Sequence, residues 1–122
     1  MKYNCIIILG PTASGKTKLS VELAKKLNGE IVNADSQQII KGLDIGTAKI
    51  TDKEKEGIPH HLFDIIEVGQ DFSVSEYSEL ALKKIEEIIS NGKFPIIVGG
   101  TGFYINSLIY KYSFGNSDTE KS

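Results

Sequence analysis

Residues 10–17 read Gly10-Pro11-Thr12-Ala13-Ser14-Gly15-Lys16-Thr17 and satisfy the spacing Gly-x-x-x-x-Gly-Lys-Ser/Thr. Each residue type has a use in that pattern. The glycines let the backbone curl until successive N–H groups point at phosphate oxygens. A helix starting there adds the positive end of its dipole. Lys16 supplies a mobile ammonium, and Thr17 a hydroxyl suited to Mg²⁺. The bland alternative is a Gly-Pro turn with a chance lysine. The loop specifies a di- or triphosphate but not a reaction. An acidic residue would end a metal-holding Walker-B strand, but the run Phe94 to Gly99 ends in glycine. The Asn-Lys-x-Asp base-recognition pattern of GTPases is also absent.

Two further loops carry chemistry-bearing residues. In Asn33-Ala34-Asp35-Ser36-Gln37-Gln38, Asp35 could face a terminal phosphate, a metal or a nucleophile. Ser36, Gln37 and Gln38 are neutral hydrogen-bonding groups, and glutamine can contact an adenine edge in pairs. An Asx turn opening a short helical segment accounts equally well for this loop. In Gly99-Gly100-Thr101-Gly102, Thr101 is the only side chain on offer, as a helix cap, a ligand contact or both. His60-His61 suggests a metal, but adjacent residues in a strand point to opposite faces. No nearby cysteine completes a ligand set, so a structural role is expected.

The elements that must position these loops follow from hydrophobic patterning. Tyr3 to Leu9 is a short β-branched run, expected as a strand buried on both faces, as in a parallel sheet. Lys16 to Leu27 reads as an amphipathic helix with Leu19, Leu23 and Leu27 on one stripe beside Val21 and Ala24, closed by Asn28-Gly29. Glu30 to Ala34 is a second strand. Asp52 to Glu56 reads as a solvated turn or helical segment, and Leu62 to Val68 as a place for a short strand. Ser73 and Glu76 form a capping box for a helix with Leu80, Leu82, Ile85, Ile88 and Ile89 on its apolar stripe, ended by Asn91-Gly92. Phe94 to Val98 is a further buried strand, and Tyr104 to Tyr110 a last helix before a polar, frayed tail from Gly115 to Ser122.

Alternating strands and helices predict an open parallel α/β sheet with helices on both faces, of the P-loop NTPase-like kind, in one domain over residues 1–122. Ligands of such sheets bind beyond the carboxyl ends of the strands. The loops at Gly10 to Lys16, Asp35 to Gln38 and Gly99 to Gly102 leave those ends, so they are expected to converge on one site.

The bulk numbers mostly exclude. Hydrophobic residues at 40% and charged residues at 25% are ordinary for a globular chain and too apolar for a disordered one. A net charge of -2 argues against a generally basic nucleic-acid binder, though not against a local basic patch. The single cysteine, Cys5, excludes an internal disulfide and reads as a buried inert thiol. No apolar run approaches the ~20 residues of a membrane span. With no secretory signal in view, a cytoplasmic protein without membrane contact or obligate protein partner is the expectation. All 14 basic residues are lysine. Arginine is the preferred bidentate grip on phosphate, so phosphate chemistry must here work without it or draw it from elsewhere.

Taken together, the loops are specific. Gly10 to Thr17, Asn33 to Gln38, Gly-Leu-Asp-Ile-Gly-Thr-Ala-Lys at 42–49, Pro-His-His-Leu at 59–62, Phe-Ser-Val at 72–74 and Ile-Val-Gly-Gly-Thr-Gly at 97–102 resemble the tRNA dimethylallyltransferase family over residues 5–112. The family transfers a dimethylallyl group from its pyrophosphate to N6 of the adenine beside the tRNA anticodon. The resemblance implies that Gly10, Pro11, Thr12, Ala13, Ser14, Gly15, Lys16 and Thr17 bind the donor pyrophosphate, with Mg²⁺ at Thr17. It implies catalytic roles for Asp35, as acceptor of the amine proton, and for Lys16 and Thr101. It implies tRNA contacts from Asp35, Ser36, Gln37, Gln38 and Thr101. Ile40 stands where the family usually has tyrosine. Members run well beyond residue 122, so the resemblance implies an N-terminal fragment or a truncated gene product. The remainder would carry a helical insertion, more tRNA-binding surface and a pyrophosphate-gripping arginine. A small-molecule or nucleotide kinase, and a non-catalytic phosphate-binding fragment, are the alternatives.

Overall fold

In the computed structural model, which describes residues 5–9, 14–35, 38–41, 51–99 and 103–110, the apolar runs pair as parallel strands. They are β1 (Ile6–Leu9), β2 (Gly29–Asn33), β3 (His60–His61) and β4 (Phe94–Gly99), in spatial order β1-β4-β2-β3. Among the described residues four helices accompany them: α1 (Ser14–Leu27), α2 (Asp52–Lys55), α3 (Val74–Ser90) and α4 (Phe103–Tyr110). The expected open parallel α/β sheet is present. Because β4 lies between β1 and β2, Leu9 pairs with Gly99 and Asn33 with Val98. The three strand ends that carry the candidate loops are therefore neighbours at one edge of the sheet.

Alternation along the strands divides the core into two layers. Ile8, Ile31 and Ile96 pack with Val21 and Ala24 of α1 on one face. Val32, Ala34 and Ile97 pack with Tyr77, Ala81, Ile85 and Ile88 of α3 and with Ile105 and Leu108 of α4 on the other. Helices thus cover both faces.

Several details differ from the sequence expectations. β1 is an edge strand, and Ile7 and Leu9 are 37% and 49% exposed, so it is not buried on both faces. An apolar composition alone does not distinguish a central strand from an edge. In α1 the buried face is Ser20, Val21 and Ala24, whereas Leu19 and Leu27 are exposed. Small side chains let the helix lie close to the sheet, which the leucine stripe would hold off. In α3 the buried residues are Tyr77, Ser78, Ala81, Ile85 and Ile88, with Leu80 exposed. The Ser73–Glu76 capping box closes as expected, and a second, unanticipated one joins Thr51 to Glu54 ahead of α2. α2 itself has no buried residue, in keeping with a solvated charge run. Cys5 is half-buried against the α3–α4 layer rather than enclosed.

The α1–β2 turn divides its work between two residues. Asn28 takes the left-handed conformation, with φ 55°. Gly29 is needed for close approach, since a Cβ there would lie 2.6 Å from the Phe94 carbonyl oxygen.

The third strand is His60–His61 rather than a segment of Leu62 to Val68. It pairs in register with Ile31 and Val32, and Ile66 makes only an isolated bridge to Ile40. Leu62 and Asp64, both at positive φ, bend the chain away immediately after the strand. The histidines point apart as expected. The His61 Nε2 lies 2.6 Å from Glu30 Oε1, while His60 packs edge-on against Phe63 and its Nδ1 lies 2.7 Å from the Ile58 carbonyl. No cluster of three metal-ligating side chains occurs among the described residues.

Burial pushes His60 below the ordinary histidine value of 6.5, and Lys55 and His61 act in the same direction against the Ile58 hydrogen bond. Its unfolded pKa then exceeds its folded one, so the unfolded chain binds the extra proton first. The stability that neutral His60 contributes is fully present above 6.5 and is lost progressively as pH falls from there through the lower folded pKa. The urea midpoint should drop between about pH 7.5 and about pH 5.5, and drop less in His60→Asn. Equal pH dependence of the two proteins would remove His60 as the cause.

Candidate functional site

α1 begins at Ser14, inside the glycine-rich loop, so Lys16 and Thr17 stand in its first turn at the positive end of the helix dipole. The Thr17 carbonyl accepts from Ser20 Oγ at 2.8 Å, and Thr17 is half-buried. Lys16 reaches across to the next strand, where its Nζ donates to the Gly99 carbonyl at 3.0 Å. Burial lowers the Lys16 ammonium below the ordinary lysine range, and the nearby Asp35 carboxylate partly offsets that shift. One cation thus links all three loops: it originates in the first, feels the carboxylate of the second and bonds the backbone of the third. The expected convergence holds for these residues.

Glycine at 99 is a packing requirement. A Cβ there would lie 2.8 Å from both the Ala34 Cβ and the Ala34 carbonyl oxygen. Ala34 N donates to the Val98 carbonyl at 2.8 Å, which continues the β2–β4 ladder up to the residue before Asp35. A side chain at 99 would force the two strand ends apart, and with them Asp35 and the acceptor of Lys16.

The Asp35 loop is held from below. Asn33 is 1% exposed. Its Oδ1 accepts from Asp35 N at 2.9 Å, and its Nδ2 donates to the carbonyls of Asp35 at 3.1 Å and Leu62 at 3.0 Å. The Tyr77 hydroxyl donates to the Asn33 carbonyl at 2.7 Å, tying the end of β2 to α3. Gln38 N donates to the Asp35 carbonyl at 3.1 Å, closing a turn, and Gln38 is buried. Ile40 is half-buried against the α3–α4 layer. The sequence allowed an Asx turn in this loop, and Asn33 makes one through Asp35 N; its bond to Leu62 was not expected.

Of the other sequence-derived site residues, Gly10, Pro11, Thr12, Ala13, Ser36, Gln37 and Thr101 lie outside the described residues, as do 42–49 and the tail from Gly115. Ser14 and Gly15 are placed as the first residues of α1.

Residues 38–122 match the family described as IPP transferase. The chain is 60% identical over 117 residues to the tRNA dimethylallyltransferase of Anoxybacillus flavithermus, covering 96% of this chain and 38% of that protein. It is 57% identical over 113 residues to the tRNA dimethylallyltransferase of Bacillus subtilis, covering 93% and 36% respectively. Among solved structures, the tRNA isopentenylpyrophosphate transferase of Bacillus halodurans superposes with a TM-score of 0.85 at 52% identity, over 90% of this chain and 36% of that one. A eukaryotic dimethylallyltransferase captured acting on tRNA superposes with a TM-score of 0.79 at 39% identity, over 85% and 26%. The chain therefore spans between about a quarter and little more than a third of the length of these relatives.

Proposed function

The chain belongs to the IPP transferase family, and on that premise we propose that it forms the donor-binding part of an enzyme that prenylates adenine N6 in tRNA. The observation that carries this reading is the meeting of Lys16, Asp35 and Gly99 at adjoining strand ends. The cation that follows the glycine-rich loop and a carboxylate at the end of β2 then act on one another, which supports a prenyl transfer from a pyrophosphate.

The chemistry assigns their tasks. The exocyclic adenine amine is a weak nucleophile, but the allylic carbon tolerates positive charge as its C–O bond breaks. The N6–C bond forms, pyrophosphate departs with the electron pair of the C–O bond, and the amine loses a proton. Catalysis therefore rests on stabilising the leaving pyrophosphate and holding the amine in line. The loop Gly10 to Thr17 and the Lys16 ammonium serve the first task. Asp35 serves the second and accepts the proton, while Ser36, Gln37, Gln38 and Thr101 contact the tRNA. The target adenine must leave its stack to reach such a pocket.

Mg²⁺ suits these residues as a companion of the pyrophosphate. It favours one or two protein oxygens together with substrate phosphates and water. The Thr17 hydroxyl in the first turn of α1 is the group that would hold it, with the Asp35 carboxylate acting on the neighbouring Lys16. When bound, it would neutralise charge on the leaving group. No described helix is long and apolar enough to cross a membrane, and a tRNA substrate would place the enzyme in the cytoplasm.

Calorimetry with dimethylallyl pyrophosphate and with ATP tests the reading, followed by an assay for prenyl transfer to tRNA. Preference for the prenyl donor is the expected result. Clear preference for ATP with phosphoryl transfer would defeat it in favour of a kinase.

A further inference from the structure

We propose that Asn33 is a positioning residue for Asp35, and that it does so by clamping the Asp35 loop to the bend that follows β3. This inference rests on the reading of Asp35 as the proton acceptor. It also gives the Pro59-His60-His61-Leu62 segment a role that metal binding does not.

A carboxamide has two N–H donors and one carbonyl acceptor, and Asn33 uses all of these groups locally. The acceptor takes Asp35 N at 2.9 Å. The donors reach the Asp35 carbonyl at 3.1 Å and, across the sheet edge, the Leu62 carbonyl at 3.0 Å. Asp35 is thus gripped at both its N–H and its C=O by one side chain that is itself 1% exposed. The grip is anchored at both ends. Tyr77 donates to the Asn33 carbonyl at 2.7 Å from the fully buried face of α3. Leu62 is held by the β3 pairing of His60 and His61 with Ile31 and Val32, and His61 is further tied to Glu30. Leu62 itself has φ 68°, a conformation a leucine adopts only when its surroundings impose it. Beyond the bend, Asp64 N donates to the Gln38 carbonyl at 3.1 Å and Ile65 N to the Ile39 carbonyl at 2.8 Å. The two segments therefore run side by side on either end of the Asp35 turn.

The arrangement separates two tasks. The β2–β4 ladder and Tyr77 hold the end of the strand, and would do so with any residue at 33. The carboxamide, sharing the Asp35 carbonyl with Gln38 N, holds the N–H of the residue two positions on and links it to the Leu62 bend. A small error in placing a proton acceptor is costly to the chemical step and nearly invisible to binding.

The test is Asn33→Ser, which keeps a short acceptor near Asp35 N but cannot span to Leu62. In the polypeptide as its gene encodes it, kcat for prenyl transfer should fall about 10- to 100-fold, with KM for tRNA and for dimethylallyl pyrophosphate within about twofold of the parent. Ile88→Val, a core change remote from the loop, serves as the control for lost stability and should leave kcat unchanged. An unchanged kcat in Asn33→Ser, or a loss matched by the control, would overturn the proposal. Hydrogen exchange provides an arm independent of turnover. In the parent protein the Asp35 amide and the Asn33 side-chain protons should be protected, and the Asp35 amide should exchange at least tenfold faster in Asn33→Ser. Unprotected protons in the parent overturn the clamp even if Asn33→Ser fails to fold. Absence of prenyl transfer in the parent, with exchange as expected, would refute the proposed function and leave the clamp standing.

Discussion

If the proposed function holds, Asp35→Ala in the full-length polypeptide should lose about 10²- to 10⁴-fold in kcat for prenyl transfer, the range for removing a general base, with tRNA affinity little changed. The loss falls on turnover because Asp35 sits at the strand end beside the Lys16 ammonium, where donor and amine would meet. Its main chain is held independently, by Asn33 and by Gln38 N, so the loop should keep its course when the carboxylate is removed. A second readout accompanies the first. The Asp35 charge raises the Lys16 pKa against the effect of burial, so removing it should lower that pKa further, as followed by NMR of the lysine side chain. Normal turnover would eliminate Asp35 as the proton acceptor. An unmoved Lys16 titration would show that the two groups are not coupled.

Tyr77→Ala should cost about 3–5 kcal/mol of folding stability, the range for deleting a buried aromatic side chain. Tyr77 has no exposed surface, stacks on Tyr104 with ring centroids 4.4 Å apart, and donates its hydroxyl to Asn33. Burial pushes both phenols above the ordinary tyrosine value, so the hydroxyl remains a donor throughout the working pH range. Tyr77→Phe isolates the hydrogen bond and should cost only about 0.5–1.5 kcal/mol. Leu80→Ala, three residues along the same helix but 40% exposed, should cost much less. Urea midpoints of the three variants decide the ranking. A Tyr77→Ala loss no larger than that of Leu80→Ala would mean that the α3–sheet interface does not depend on this side chain.

These residues also show where reading the sequence succeeds and where it stops. The helix that follows the glycine-rich loop was legible because a glycine turn leading into an amphipathic run is a local pattern. The Ser73–Glu76 cap was legible for the same reason, since both of its hydrogen bonds close within four residues. Tyr77 was not singled out, because its partners lie on another element, and no spacing within α3 reveals an acceptor on β2. The leucine stripe of α1 misled in part, since Leu19 and Leu27 are exposed while Leu23 packs against the core and Val21 and Ala24 beside the stripe are buried. Amphipathic spacing marks an apolar side of a helix, but the helix turns the face that fits closest to the sheet inward. Here that face is Ser20, Val21 and Ala24.

Sequence alone was enough to establish the strand–helix alternation, the parallel sheet and the identity of the loops that leave its carboxyl ends. Each of these is a property of short segments, set by side-chain period, β-branching and turn chemistry. Strand order was decided only by the tertiary structure. It places β4 between β1 and β2, brings the Gly99 carbonyl to Lys16, and leaves Ile7 and Leu9 on an edge. The same folding turned Asn33 from a polar residue at a strand end into the tie between Asp35 and Leu62. A hydrogen bond between residues 33 and 62 forms only after the sheet has brought distant segments together, so no local pattern in the chain records it.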